Sequence, residues 1–279
     1  MLIVDGMSVL KTTAGGAAFL TNGFAYNFFT QLTAMYKRFP DLKGTIVCWE
    51  GGHGGRTQIY SGYKADRKGS GPEIKAQRDL VQDLLHHVGA DQVYAPGHEA
   101  DDCAAWLVNN LGVPALMMSN DNDWLQLVRK GVSIYQKSDY NPQKKGARLE
   151  ITRETFQALT GYASPEMLLE GKCLMGDGVD GIPGIEGIGP TIAKAYLLGQ
   201  HVSANRREKI EDFINSQEYS RNKMLMDLIT PRDLNLVWRR GEASEERARD
   251  FLTNVGGTGW PSVMKNFPDW WELYAAARL

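Results

Sequence analysis

Leu2-Ile3-Val4-Asp5-Gly6 opens the chain with three apolar residues that run straight into a carboxylate and a glycine. A run so short and so apolar reads as a strand buried on both faces, with Asp5 at its carboxyl end. The pattern returns downstream. Thr45 to Trp49, Gln92 to Tyr94, Pro114 to Met118 and Val132 to Tyr135 read as further strands. Phe24 to Met35, Glu73 to Val88 and Glu99 to about Leu111 carry the three-to-four spacing of helices between them. This alternation predicts an α/β fold with a mostly parallel central sheet flanked by helices.

Thr152 and Ser164 read as helix N-caps, and a domain boundary is placed near Ser164. The expected division is an α/β domain over 1–164 and a smaller C-terminal helical domain over 165–279. Between Asp177 and Gly189 glycines are too dense for a regular element, and Thr191 to Leu198 resumes as helix. That stretch is expected as a hairpin opening a helix. Residues beyond about 200 are expected to be helical, with the Trp-rich segment Trp260 to Trp271 packed back on the body.

With 279 residues and 43% hydrophobic content, the chain can bury a sizeable core. No stretch approaches the ~18 uninterrupted apolar residues of a membrane span, and the start lacks the charged-then-apolar pattern of an export signal. A cytoplasmic protein without membrane contact, and a monomer, is expected. Cys48, Cys103 and Cys173 are scattered and never paired as C-x-x-C, which excludes a disulfide framework and a thiolate zinc site. The net charge of -2 excludes a uniformly basic nucleic-acid binder, but acids and bases sit in separate stretches.

Four separated places put carboxylates where such a sheet exposes them. Asp5 ends the first strand, Glu99, Asp101 and Asp102 open a helix, Asp121 and Asp123 follow the Met117-Met118 strand, and Asp177 and Asp180 lie in the glycine-rich stretch. Strand carboxyl ends form the ligand crevice of open α/β sheets, so the first three groups should converge. Crowded carboxylates raise one another's pKa unless cations sit among them. Oxygen ligands without His or Cys select Mg²⁺ or Mn²⁺. Each group also has a local reading, as a helix-dipole partner, a cap or a turn former, but four coincidences outweigh it.

Glu50 to Gly71 is rich in Gly, Arg and Lys and reads as an exposed loop, carrying Arg56, Lys64, Arg67 and Lys68 with Tyr60 and Tyr63 interleaved. Cations among aromatics suit a single-stranded nucleic acid, against the plainer reading of a solvated loop. Gly184, Gly187 and Gly189 would let backbone N–H groups at a helix start approach a phosphate. Lys144-Lys145 with Arg148, Arg206-Arg207 with Lys209, and Arg239-Arg240 read as surface, with a grip on duplex phosphates as the alternative.

Together these motifs resemble the 5′ nuclease family, comprising bacteriophage flap endonucleases and the amino-terminal nuclease domain of bacterial DNA polymerase I. The resemblance runs from Leu2 to about Leu198, on Ile3-Val4-Asp5-Gly6, Tyr63-Lys64-Ala65-Asp66-Arg67, Glu99-Ala100-Asp101-Asp102, Ser119 to Leu127 and Asp177 to Ala193. It implies that Asp5, Glu99, Asp101, Asp102, Asp121, Asp123, Asp177 and Asp180 bind two or more divalent ions. It implies a helical arch over about 56–80 that passes a 5′ single strand, with Lys64 and Arg67 catalytic and Arg56, Tyr63 and Lys68 on the DNA. It also implies a helix-hairpin-helix-like motif over about 177–198 that holds duplex DNA through Gly184, Gly187 and Gly189, with a K⁺ ion.

The chain departs from the family pattern at Trp49-Glu50, where Phe-Asp is common, at Gly181, where Asn is usual, and at Thr191-Ile192, where Lys-Thr is usual. The implied activity is structure-specific cleavage of DNA with a 5′ flap, nick or single-stranded 5′ end, in replication or repair in a bacterial cell or phage-infected host. The alternative is a catalytically inactive DNA-junction binding protein of the same fold. A haloacid-dehalogenase-type phosphatase needs an Asp where Met7 stands, and a ribonuclease of the related fold shares fewer acids and lacks the arch lysine.

Overall fold

The computed structural model describes residues 1–12, 23–137 and 148–255, and beyond them 265, 267, 268, 271, 272 and 275. β1 (Leu2–Asp5) leads into α1 (Gly6–Thr12) and α2 (Gly23–Arg38), then β2 (Thr45–Cys48), α3 (Gly54–Ile59), α4 (Pro72–Val88) and β3 (Asp91–Tyr94). α5 (Ala100–Asn110), β4 (Ala115–Met118), a 3-10 turn at Asn122–Leu127, β5 (Val132–Lys137) and β6 (Arg148–Ile151) follow. Then come α6 (Phe156–Thr160), α7 (Pro165–Met175), the short strands β7 (Gly176–Asp177) and β8 (Ile182–Pro183), and α8 (Pro190–Leu197). α9 (Ala204–Ile214), α10 (Gln217–Met226), β9 (Val237–Arg239) and α11 (Glu245–Val255) complete the order.

Seven strands form one sheet in the order β6-β5-β4-β1-β2-β3-β9. The five inner strands are parallel, with Leu2 opposite both Thr45 and Leu116, and the two edge strands are antiparallel. Successive strand residues point to opposite faces, which sorts the core into two layers. Leu2, Val4, Val47 and Met118 pack with Phe28, Leu32, Val81 and Leu85 of α2 and α4. Ile3, Ile46, Cys48 and Met117 pack with Cys103, Leu107 and Trp124 on the other side. The chain builds β1, β2 and β3 in one direction, then crosses over β1 to place β4 on its other side. The crevice at this reversal, beyond the carboxyl ends of β1 and β4, is where such sheets hold ligands.

Beyond residue 200 the helical expectation fails at β9, which pairs with β3 through Val93 opposite Trp238. Three residues are too few to display a period of two. α11 packs Ala248 and Leu252 against the α2–α4 layer, where Phe267 is buried and stacks on Trp271 at 6.1 Å between ring centroids. Apart from the exposed Lys265 and Pro268, the rest of the Trp260 to Trp271 segment, like Lys144 and Lys145, lies outside the described residues. The stretch read as an exposed loop after Glu50 contains the helix α3 and a turn over 61–66 before α4 begins.

A third core cluster joins Leu169, Cys173 and Leu174 of α7 to Ile182, Ile188, Ala193, Ile210 and Leu225. Here α7, the β7–β8 pair and α8 form the expected hairpin between helices. A Cβ on Gly184 would lie 2.0 Å from the Met175 carbonyl carbon, so glycine here lets two backbones touch. Gly187, at φ +78°, and Gly189 face open space. Gly184→Ala is therefore expected to lower stability by about 1–3 kcal/mol or more. Gly189→Ala, at the N-cap of α8 with open space for a Cβ, should cost less, about 0.5–1 kcal/mol. Urea unfolding of both variants checks this, and equal effects would refute the close approach.

Candidate active site

Asp5 ends β1 with its carboxylate held from two sides. The Ser8 N–H donates to Oδ1 at 2.9 Å and the Ser119 hydroxyl to Oδ2 at 2.7 Å. Ser119 Oγ also accepts from the Asp121 N–H at 3.0 Å, and Ser8 Oγ from the Asn120 N–H at 3.0 Å. These bonds lock the loop after β4 to the end of β1. Burial, with Asp121 repelling, pushes the Asp5 carboxyl up to about 6.

Glu99 is the N-cap of α5, and its own N–H donates to Asp102 Oδ2 at 3.0 Å, a reciprocal capping box. Asp102, expected among the ion ligands, has both oxygens engaged by the protein's own cations: Arg56 donates to them at 2.6 and 2.9 Å, and Arg232 to Oδ1 at 3.2 Å. Arg56, expected on an exposed segment, is 4% exposed and also donates to Glu99 at 3.2 Å and to the Leu225 carbonyl at 2.8 Å. A guanidinium on the short α3 reaches inward because its fork matches a carboxylate with both oxygens presented.

Tyr63 is likewise buried rather than open for base stacking, its hydroxyl donating to Glu99 Oε2 at 2.8 Å and Asp180 Oδ2 at 3.3 Å. Lys64 adopts φ +52°, its N–H donates to the Asp180 carbonyl at 2.9 Å, and its ammonium reaches Glu99 at 2.5 Å and Asp180 at 3.5 Å. Gly181 explains its departure from Asn: at φ +71°, a Cβ there would lie 2.7 Å from the Gly62 carbonyl oxygen. Arg67 stands 3.5 Å from Asp180 with 45% of its side chain exposed. Lys68 is exposed and lines, with Lys64 and Arg67, a second cleft on the far side of this segment.

Lys172 of α7, singled out by no motif, bridges Asp123 and Asp177. A cleft of about 510 Å³ is lined by Asp101, Asp121, Asp123, Asp177 and Asp180 together with Lys64, Arg67, Lys172 and Lys194. Glu50, one residue beyond β2, belongs to the same field: burial and Glu99 push its carboxyl up to about 7, although part of the side chain meets solvent. Burial, then Asp102 and Glu99, push Asp101 up to about 8. Burial, then Asp177 and Glu99, raise Asp121 and Asp180 despite Lys64 beside them.

The protein's own cations therefore compensate the acids unevenly: Arg56 stands 3.8 Å from Asp101, and Lys64 and Arg67 each 3.5 Å from Asp180, yet these carboxyls stay raised like those of Asp5, Glu50 and Asp121. Among the described residues no three acidic, His or Cys side chains converge to chelate an ion as they stand. The donor set, oxygen-only and still repulsive, nevertheless fits hard divalent cations.

Residues 1–159 match the family described as 5′-3′ exonuclease, N-terminal resolvase-like domain, more than half of the chain. The chain is 32% identical over 249 residues to a 5′-3′ exonuclease of Bacillus subtilis, covering 84% of this chain and 81% of that protein. It belongs to the 5′-3′ exonuclease family. DNA polymerase I of Mycobacterium tuberculosis is 32% identical over 197 residues, 65% of this chain and 21% of the polymerase. In fold this family member is similar to the bacteriophage T5 5′-exonuclease with zinc ions bound, at TM-score 0.66 and 19% identity over 98% of this chain and 99% of that one. Flap endonuclease-1 of Methanococcus jannaschii gives 0.63 at 17% identity over 98% and 92%. Among the described residues no helix is long and apolar enough to cross a membrane.

Two outcomes follow from this geometry. Removing Arg56 leaves the buried Asp102 with Arg232 as its one remaining guanidinium, so Arg56→Ala should cost up to about 3–5 kcal/mol. Urea unfolding reads this, and a cost below about 1 kcal/mol would show the pair to be dispensable. Asp5, Glu50 and Asp101 hold their protons to higher pH when folded than when unfolded. The folded chain then binds more protons between the ordinary carboxylate value of 3.8 and about 8. Without divalent ions, stability should fall as pH rises through that window, and Mg²⁺ should offset the fall at its upper end. Thermal melts across the window check it, and a Tm that climbs with pH would contradict it.

Proposed function

We propose that this 5′-3′ exonuclease family member hydrolyses phosphodiester bonds near the 5′ end of flapped, nicked or single-strand-ended DNA, with two or more Mg²⁺ or Mn²⁺ ions. The observation that carries this is the cleft in which five aspartates converge beside Lys64 and Arg67. Asp5, Glu50, Glu99, Asp101 and Asp121 would hold one ion, and Asp123, Asp177 and Asp180 a second. Bound divalent ions supply Lewis acidity, a more acidic water and positive charge for the phosphate. Asp102 takes a positioning role here, through Arg56 and the Glu99 cap.

Lys64 would exchange its contact with Glu99 for a phosphate oxygen, and Arg67, half exposed beside it, would take a second. Tyr63 keeps Glu99 and Asp180 aligned as a donor, since burial first and then these acids raise its phenol. The segment over about 56–80 would guide the single strand, and Lys68 would face it. Gly187 and Gly189 would present N–H groups at the start of α8 to a duplex phosphate, with Gly184 shaping the hairpin. A K⁺ ion at this hairpin is part of the same proposal, as is a division near Ser164 that separates the chemistry from the duplex grip.

Cleavage of one labelled 5′-flap substrate, with product lengths mapped, tests this. Mg²⁺ should support cleavage, and Lys64→Ala or Asp101→Asn should lower the rate by about 100-fold or more while Ca²⁺-supported binding persists. Binding without any cleavage by the unaltered protein would establish the inactive junction binder instead.

A further inference from the structure

The chain after α10 folds back on that helix. Asp227 Oδ1 accepts from the Ile229 and Thr230 N–H groups at 2.7 and 3.0 Å, and the Thr230 hydroxyl donates to Oδ2 at 2.6 Å. The turn returns Arg232 to the end of α10, where Nη2 donates to the Asp227 and Met224 carbonyls at 2.8 and 3.1 Å. Carbonyls at a helix end lack helical partners and need such donors. The other arm of the same guanidinium, Nη1, donates to Asp102 Oδ1 at 3.2 Å.

The end of α10 is itself a fixed platform. Asn222, wholly buried, donates to the Cys173 and Pro183 carbonyls at 3.1 and 2.8 Å, which ties α10 to α7 and to the glycine-rich hairpin. Gln126, in the turn that carries Asp123, donates to the Met226 carbonyl at 3.0 Å and accepts from the Leu228 N–H at 3.1 Å. Arg232 extends this frame to the start of α5, where Asp102 Oδ2 accepts from the Glu99 N–H and Asp101 stands in the same first turn. Arg232 does not line the acidic cleft, so its reach to a bound ion runs through Asp102.

We propose that Arg232 is a positioning residue for the divalent ions. It holds the start of α5, with Glu99 and Asp101, in register with the carboxylates of the acidic loop and the hairpin. The role rests on the metal-dependent nuclease reading and adds to it a residue far from every acidic motif. One rigid fork meets three acceptors on two elements, which the point charge of a lysine ammonium on a flexible stem cannot reproduce. Charge alone would act in the opposite sense, because a cation near the cleft repels incoming cations.

Mn²⁺ titrations, with the free ion read by electron paramagnetic resonance, compare the unaltered protein with Arg232→Ala and Arg232→Lys, each well below its Tm. Arg232→Ala should raise the Mn²⁺ Kd about tenfold or more, the loss typical of residues that orient metal ligands from behind. Arg232→Lys, which keeps the charge, should raise it as well, and this milder variant decides the matter should Arg232→Ala fail to fold. Tighter binding by Arg232→Ala with Arg232→Lys unchanged would show a residue acting by charge alone and overturns the proposal. An unchanged Kd in both variants overturns it too, whatever the loss in Tm, since the contacts would then serve stability only. If the unaltered protein binds no Mn²⁺, the metal-dependent reading itself falls. If it binds Mn²⁺ and both variants match it, only the assignment of Arg232 falls.

Discussion

Negative charge crowded beyond the carboxyl ends of β1 and β4 is the constraint to which the surrounding structure responds. Buried carboxylates repel, and the fold answers by drawing in cations from distant segments. Arg56 arrives from α3, Arg232 from the chain after α10, Lys64 from the turn before α4 and Lys172 from α7. Each of these pairs also joins elements. Arg56 binds the start of α5 and the Leu225 carbonyl of α10 together, so the electrostatics of the site and the docking of the helical half are one arrangement.

The compensation is uneven, and the unevenness carries the functional reading. Asp102 meets two arginines and a backbone N–H with its two oxygens. Asp5 is buried and Asp101 half-buried, with carboxyls pushed up to about 6 and about 8 even though Arg56 lies 3.8 Å from Asp101. A divalent ion gains most where the protein's own cations do least. The pattern divides a single acidic cluster into carboxylates that build the site and carboxylates left for a ligand.

Much of this was legible in the chain. The inner strands are short apolar runs that only a doubly covered sheet accommodates, and each acidic group follows a strand or opens a helix. Other features carry no local signal. A single Arg56 in a glycine-rich stretch gives no hint that it turns inward, and its partner Asp102 meets Arg232 across 130 positions. Glu50 looked like a departure from a familiar Phe-Asp pair, and only its position beside Glu99 brings it into the site. Gly184 was read for access to phosphate, whereas its lack of a side chain serves the contact with Met175.

On the proposed reading, the carboxylates whose protons are held to high pH gather divalent ions. Anomalous diffraction from crystals soaked in Mn²⁺ tests it most directly. At least two manganese peaks should appear in the acidic cleft, one among Asp5, Glu99 and Asp101 and one beside Asp123 and Asp177, with the Lys172 ammonium displaced from the latter. Peaks confined to the surface, with Lys172 still bridging Asp123 and Asp177, would contradict it.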